Sequence, residues 1–294
     1  MFVEGYGGSM IQKIGRVHFI AAVLLVGLLC YVGICTYMWA TQEQLIFQPT
    51  QVWQSNPARM GMTFKEFHIP SGNGAERGEL DSWWIPTVHE GAATLLYLHG
   101  NDRNISSNLG HVQRLHDLGY NVLMIDYRGF GKSSGGTPNE TKVYEDAEAA
   151  WQYLIKTGAV PPQKIFIYGH SLGGAIGIDL AVHHPEAAGL IVESTFTSMR
   201  AMGELRYGFL PVASLLHQRF DSLQKVSQLK IPLLIIHGTW DKEVPYEMSQ
   251  QLYDAAHQPK SLTLIEGGGH GNSGVIGWVE YRDALNSFIG KYQH

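Results

Sequence analysis

Residues 164–174 read KIFIYGHSLGG, an apolar run of strand character that drives without a linker into Gly169-His170-Ser171-Leu172-Gly173 and then into a helix-forming stretch ending at His183. Few backbones accommodate that order. A strand turns into a helix this abruptly only through a sharp, strained corner, and the residues two before and two after the corner must then lack Cβ atoms. Gly169 and Gly173 stand at those two positions. A serine so placed is exposed beyond the carboxyl end of its strand. The helix behind it aims free N–H groups at the spot where negative charge would develop. Ser171 is the candidate nucleophile, and the N–H of Leu172 a candidate oxyanion donor.

The rest of the chain repeats the theme. Apolar runs at 93–98, 122–125, 164–168, 190–192, 232–236 and 262–265 are too short for helices. Helical stretches lie between or after them, up to 118 and at 139–156, 172–183, 247–256 and 277–289. Short buried-type strands separated by helices predict a mostly parallel central sheet with helices on both faces, an α/β architecture. Ahead of it, 63–70 and 79–86 alternate around a Gly-rich polar stretch and predict a hairpin that adds antiparallel strands at one edge. Such sheets bind ligands beyond the carboxyl ends of their strands. At 294 residues the chain suits one large domain rather than two.

Residues 17–40, VHFIAAVLLVGLLCYVGICTYMWA, contain no Lys, Arg, Asp or Glu. As a helix they would span roughly 36 Å, enough for a hydrocarbon core of about 30 Å with some tilt. Lys13 and Arg16 precede the segment and no cation follows until Arg59, with Tyr31, Tyr37 and Trp39 toward the far end. The positive-inside rule then places a tail, 1–16, in the cytoplasm, makes 17–40 a signal-anchor, and leaves 45–294 as the domain outside. The alternative is a cleaved signal peptide. The run is long for one, and a cut after Ala40 would put Met38, which is not small, at position −3.

A serine hydroxyl is a weak nucleophile until a histidine takes its proton, and that histidine needs an orienting carboxylate. Residues 232–245, PLLIIHGTWDKEVP, place Asp241 in a turn just past an apolar run. Residues 262–272, LTLIEGGGHGN, do the same for His270. These are the candidate acid and base, with Glu193 and Glu243 as alternative acids. His237 and His99 each precede a glycine and read as turn-packing residues, and His170 is expected to point away from its neighbour Ser171. Residues 95–104, LLYLHGNDRN, end a strand in His99-Gly100-Asn101. Gly100 lets main chain approach a ligand closely, and Asn101 is the candidate second oxyanion donor through its N–H. The side chain of Asn101 or Asp102 is a further candidate for substrate contact, with Asp102 alternatively capping the helix that follows. Asp126 and Arg128, in the Gly-rich loop DYRGFGKS at 126–133, are expected to brace loops near the site.

Several classes drop out. The net charge of −5 with scattered cations gives no basic surface for nucleic acid. Cys30 and Cys35 are the sole cysteines, so beyond the anchor there is neither a disulfide framework nor a cysteine zinc site. HExxH does not occur, the Gly-rich loop at 126–133 fits neither GxGxxG nor GxxxxGK[ST], and no metal or cofactor is expected. Two Asn-x-Ser/Thr triplets begin at Asn104 and Asn139.

Together HGN at 99–101, DYRGFGKS at 126–133, GHSLGG at 169–174, HGTWDKEVP at 237–245 and GGGHGN at 267–272 resemble, in order, the motifs of membrane-anchored members of the α/β-hydrolase superfamily. The similarity covers about residues 45–290. It implies the α/β-hydrolase fold, single-pass anchoring with the catalytic domain outside the cytoplasm, and esterase or thioesterase chemistry. The chain departs from the pattern at Asp102-Arg103, where a small residue and Gly are frequent, and at Glu193-Ser194, where Asp-Ser is frequent. A short cap is expected at about 194–230. Its apolar positions Phe209, Leu210, Val212, Leu215, Leu216 and Phe220 are read as one helical face, packed on the domain with part of it turned toward the bilayer. The expected activity is a serine hydrolase acting on small-molecule or lipid acyl esters or thioesters. The alternatives are a peptidase or amidase using the same site, and a non-catalytic membrane-tethered binding protein.

Overall fold

A computed structural model describes residues 7–293. Its centre is an eight-stranded sheet: β1 (Lys65–Ser71), β2 (Gly78–Ile85), β3 (Thr94–Leu98), β4 (Asn121–Ile125), β5 (Ile165–His170), β6 (Gly189–Glu193), β7 (Leu233–Gly238) and β8 (Lys260–Ile265). The spatial order is β8-β7-β6-β5-β3-β4-β2-β1. Strands β3 to β8 are parallel, while β1 and β2 form the expected antiparallel hairpin at one edge. The central strands alternate between two cores. Leu96 and Leu98 of β3 face one helical layer and Leu95 and Tyr97 face the other, which is why these strands read as unbroken apolar runs.

One layer holds α4 (Glu140–Lys156) and α5 (Leu172–His183), the other α3 (Leu109–Asp117) and α9 (Trp278–Tyr292). Helix α5 is apolar on nearly every side and buried along almost its whole length. It therefore lies under the sheet's centre and not at its rim. The asparagines of the two Asn-x-Ser/Thr triplets fix local backbone. Asn139 caps α4, and Asn104 caps the turn before α3 while donating to Thr50 and Val52.

At the N-terminus, α1 (Gly7–Ala40) is long and apolar enough to cross a membrane, with a mean hydropathy of 2.5 over its apolar 18-residue stretch within Lys13–Ala40. The expected tail 1–16 lies outside the described residues up to position 6, and from Gly7 onward it is already helical. After Thr41 a short α2 (Gln42–Ile46) follows directly. The cap departs from the expected single helical face. It is broken into α6 (Met199–Tyr207), α7 (Val212–Leu215) and α8 (Ser222–Val226). Gly208 and Pro211 interrupt the spacing, Phe220 turns into the core and Phe209 turns out.

Arg128 braces the Gly-rich loop, as its position suggested. Fully buried, it donates from Nε to Asp146 Oδ1 (2.7 Å), from Nη1 to the Glu76 carbonyl (2.7 Å) and from Nη2 to Glu145 (2.6 Å). Ser71, at the end of β1, donates to the same Asp146 oxygen. Removing one partner of such a network strands a buried charge. Arg128→Ala is expected to lower unfolding stability by about 3–5 kcal/mol, read from the urea midpoint of the detergent-solubilised chain.

Candidate active site

Ser171 occupies the corner between β5 and α5 with φ at 55°, a left-handed conformation that costs a side-chain-bearing residue strain. Three hydrogen bonds hold the corner. Its N–H donates to the Glu193 carbonyl (2.8 Å), and its carbonyl accepts from the Gly174 N–H (2.9 Å) and the Thr195 hydroxyl (2.8 Å). A Cβ on Gly169 would overlap the Gly173 carbonyl, and one on Gly173 would overlap the carbonyl of Leu98 at the end of β3. Both glycines are required by contact of backbone with backbone.

The turn after β7 presents Asp241 and the loop after β8 presents His270, both at the carboxyl edge where Ser171 stands. The Ser171 hydroxyl donates to His270 Nε2 at 2.9 Å, and His270 Nδ1 donates to Asp241 Oδ2 at 2.7 Å. The structure thus brings the three residues into one continuous relay. The Asp241 side chain is buried and its oxygens are well supplied with donors. Oδ1 accepts the N–H groups of Glu243 and Val244 (2.8 and 2.9 Å), and Oδ2 also accepts from His237 Nε2 (3.1 Å). Burial opposes ionisation of Asp241, but the bonds from His237 and His270 outweigh it and hold the carboxyl well below its ordinary range. For His270, burial disfavours the cation, while the bond and charge of Asp241, then the charges of Glu243 and Glu193, outweigh it and raise the imidazole above its ordinary 6.5.

The alternative acids sit elsewhere. Glu193 is buried behind the corner, accepting from the Tyr168 hydroxyl (2.5 Å) and facing His111 (3.6 Å). Glu243 is largely exposed, with Oε2 3.9 Å from His270 Nε2. His170 points away from Ser171, and its Nε2 donates to the His270 carbonyl at 2.9 Å. Burial, then the neighbouring His111, pushes its pKa down to about 3, so the ring is neutral. His237 is the residue that sequence reasoning misplaced. It is no mere turn filler, because its Nδ1 accepts from the Ser249 hydroxyl (2.6 Å), which fixes the Nε2–H tautomer that holds Asp241. The four-residue spacing from His237 to Asp241 was the available signal.

The loop at 99–101 lies against the nucleophile. A Cβ on Gly100 would sit 3.5 Å from Ser171 Cβ. Among the described residues the main-chain N–H groups of Asn101 and Leu172 donate to no protein acceptor, and both residues line the same cavity as Ser171 and His270. The Asn101 side-chain amide donates to the Ile46 carbonyl (2.7 Å), which fixes its orientation. Asp102 pairs with Arg103, and the expected cap at 105 is Asn104, not Asp102. Asp126 holds the loop from beneath by accepting the Ile105 N–H (2.8 Å) beside His99. The cavity over the relay measures about 540 Å³.

A hydroxyl–imidazole–carboxylate relay at the carboxyl edge of this sheet, with a strained corner under the hydroxyl, is the arrangement of the α/β hydrolases. The family profile described as "Serine aminopeptidase, S33" matches residues 89–225 and 211–272, and the chain belongs to that family of hydrolases. An uncharacterized protein of Mycobacterium tuberculosis is 32% identical over 260 residues, covering 87% of this chain and 90% of that protein. The alpha/beta hydrolase domain-containing protein WAV2 of Arabidopsis thaliana is 28% identical over 277 residues, covering 86% and 89%. Among solved structures, an esterase of Pyrococcus furiosus superposes with a TM-score of 0.68 at 21% identity, covering 85% of this chain and 98% of that one.

A base must be neutral to accept a proton, so the raised pKa of His270 predicts a rate of short-ester hydrolysis that climbs with pH through an ionisation above 6.5 and then levels. Glu243→Gln removes a charge that raises this pKa, and the acid limb should move to lower pH. An unmoved limb would mean that Glu243 does not act on His270.

Proposed function

We propose that this chain is a serine hydrolase that cleaves carboxylic ester or thioester bonds through an acyl-enzyme on Ser171. The continuous relay from Asp241 through His270 to Ser171 carries this reading. As Oγ attacks the acyl carbon, its proton passes to His270 Nε2 while Asp241 stays ionised and stabilises the imidazolium. The oxyanion is received by the N–H groups of Leu172 and Asn101. The leaving alkoxide or thiolate takes the proton from His270, and water, deprotonated by the same ring, releases the acid.

Ester or thioester chemistry is favoured over peptide chemistry by the largely apolar cap side of the cavity, where Met199, Met202 and Leu210 stand. A peptidase acting on free amino termini remains the second reading, because Glu243 and Asp102 also line that cavity and carboxylates receive ammonium groups. The assignment extends to the domain plan: tail 1–16 in the cytoplasm, signal-anchor 17–40, catalytic domain 45–294 outside, and cap at about 194–230. Arg16 before the apolar stretch and the lack of cations between it and Arg59 support that orientation.

A membrane-impermeant fluorophosphonate should label intact cells expressing the chain, and Ser171→Ala should abolish the label. Asp241→Asn should slow labelling at least about 10³-fold. Labelling that persists in Ser171→Ala would sink the nucleophile assignment, and labelling only after lysis would sink the orientation. A matched panel of butyryl ester, butyryl thioester and aminoacyl anilide separates the two chemistries.

A further inference from the structure

The end of α1 is built into the site. Tyr31, Cys35, Met38 and Gln42 recur at spacings of four, three and four, which places them on one helical face. Cys35 and Met38 are partly covered, unlike the exposed side chains around them, and Met38 lines the cavity over Ser171. The Tyr31 hydroxyl donates to the Phe209 carbonyl of the cap at 3.2 Å. Gln42, buried, donates to the Leu215 carbonyl (2.7 Å) and accepts the His217 N–H (2.9 Å). The cavity is therefore walled on one side by the last turns of the apolar helix and on the other by the cap.

Depth follows from charge and helix geometry. Arg16 is the last cation before the apolar run, and a hydrocarbon core takes about 20 helical residues. The far edge of the core then falls near residue 36, with Tyr37 and Trp39 at the interface. Tyr31 lies about 8 Å inside that edge at 1.5 Å per residue. The cap segment bonded to it carries Leu205 and Phe209, exposed by 58% and 68%. Interfacial segments bury their apolar side chains to roughly 5–10 Å, the same depth. The Tyr31–Phe209 bond satisfies two polar groups where no water would reach them. Arg206, beside these apolar side chains, lines the cavity, and its long stem lets the guanidinium reach the headgroup level.

We infer that the cap tip, residues 205–209, is seated in the leaflet on the catalytic side, and that the site takes from that leaflet a lipid with one acyl chain, which lies between the end of α1 and the cap. This rests on the hydrolase reading above. Continuity with the membrane helix selects a bilayer over a second protein as the occupant of the exposed patch. The volume suits one chain, because about 540 Å³ takes roughly eighteen groups at the ~30 Å³ a water molecule occupies in the liquid.

The test uses the full chain reconstituted in phosphatidylcholine vesicles, with a hexadecanoyl monoester dissolved in the bilayer and nitrophenyl butyrate in the water. The wild type should favour the bilayer-borne ester at least tenfold in kcat/KM. Phe209→Asp, and independently Leu205→Asp, should lose at least tenfold on that ester while keeping butyrate hydrolysis and fluorophosphonate labelling. Met38→Trp should shift the best acyl chain to a shorter one. A wild type indifferent to chain length, or cap variants that hydrolyse the bilayer-borne ester as the wild type does, overturns the inference. Cap variants that lose butyrate hydrolysis and labelling in parallel with the bilayer-borne ester also overturn it, since the cap would then be supporting the site itself. Failure of the wild type to label would remove the hydrolase reading instead, a result distinct from any loss confined to one substrate.

Discussion

Everything at the site depends on how closely α5 can approach the end of the sheet. At the corner, backbone meets backbone: Gly169 against Gly173, and Gly173 against the carbonyl of Leu98. That contact brings the helix N-terminus, the strained Ser171 and the loop after β3 into one volume. Any side chain inserted there would push the helix off the sheet and separate the hydroxyl from the groups arranged to meet it. The strain at Ser171 is supported by three hydrogen bonds to its own main-chain groups and by the burial of almost the whole of α5.

The second constraint is electrostatic. A carboxylate buried beside an imidazole keeps its charge only if its lone pairs are satisfied by donors. Asp241 receives them from two N–H groups of its own turn and from two histidines. His237 thus acts on the carboxylate and through it on His270. The neutral His170 fixes the other side of the same loop through the His270 carbonyl. Two histidines outside the Ser171–His270 bond therefore aim the imidazole that makes it.

Much of this was legible in the sequence because the physics there is local. Strands buried on both faces leave unbroken apolar runs, and a corner of this kind leaves glycines two residues to either side of the serine. Strand ends were less legible. The last strand but one runs through His237-Gly238 because a polar side chain can remain extended when a serine and a carboxylate await it. The cap misled, since 209, 212, 216 and 220 imitate helical spacing while Gly208 and Pro211 break it. The commitment of the Asn101 side chain to Ile46 was invisible, because the two residues are joined only by the folded loop. The contacts of α1 were hidden for a different reason. A side chain that faces lipid and one that faces an apolar cap have the same composition, and only Tyr31 and Gln42 stand out from it.

Gln42 joins the long apolar helix α1 to the cap across a single intervening residue, Thr41. A fragment trimmed at that joint for the sake of solubility would retain the relay, yet its chamber would be breached where Met38 had closed it. Selectivity measured on such a fragment would describe the opened chamber and not the one the intact chain possesses.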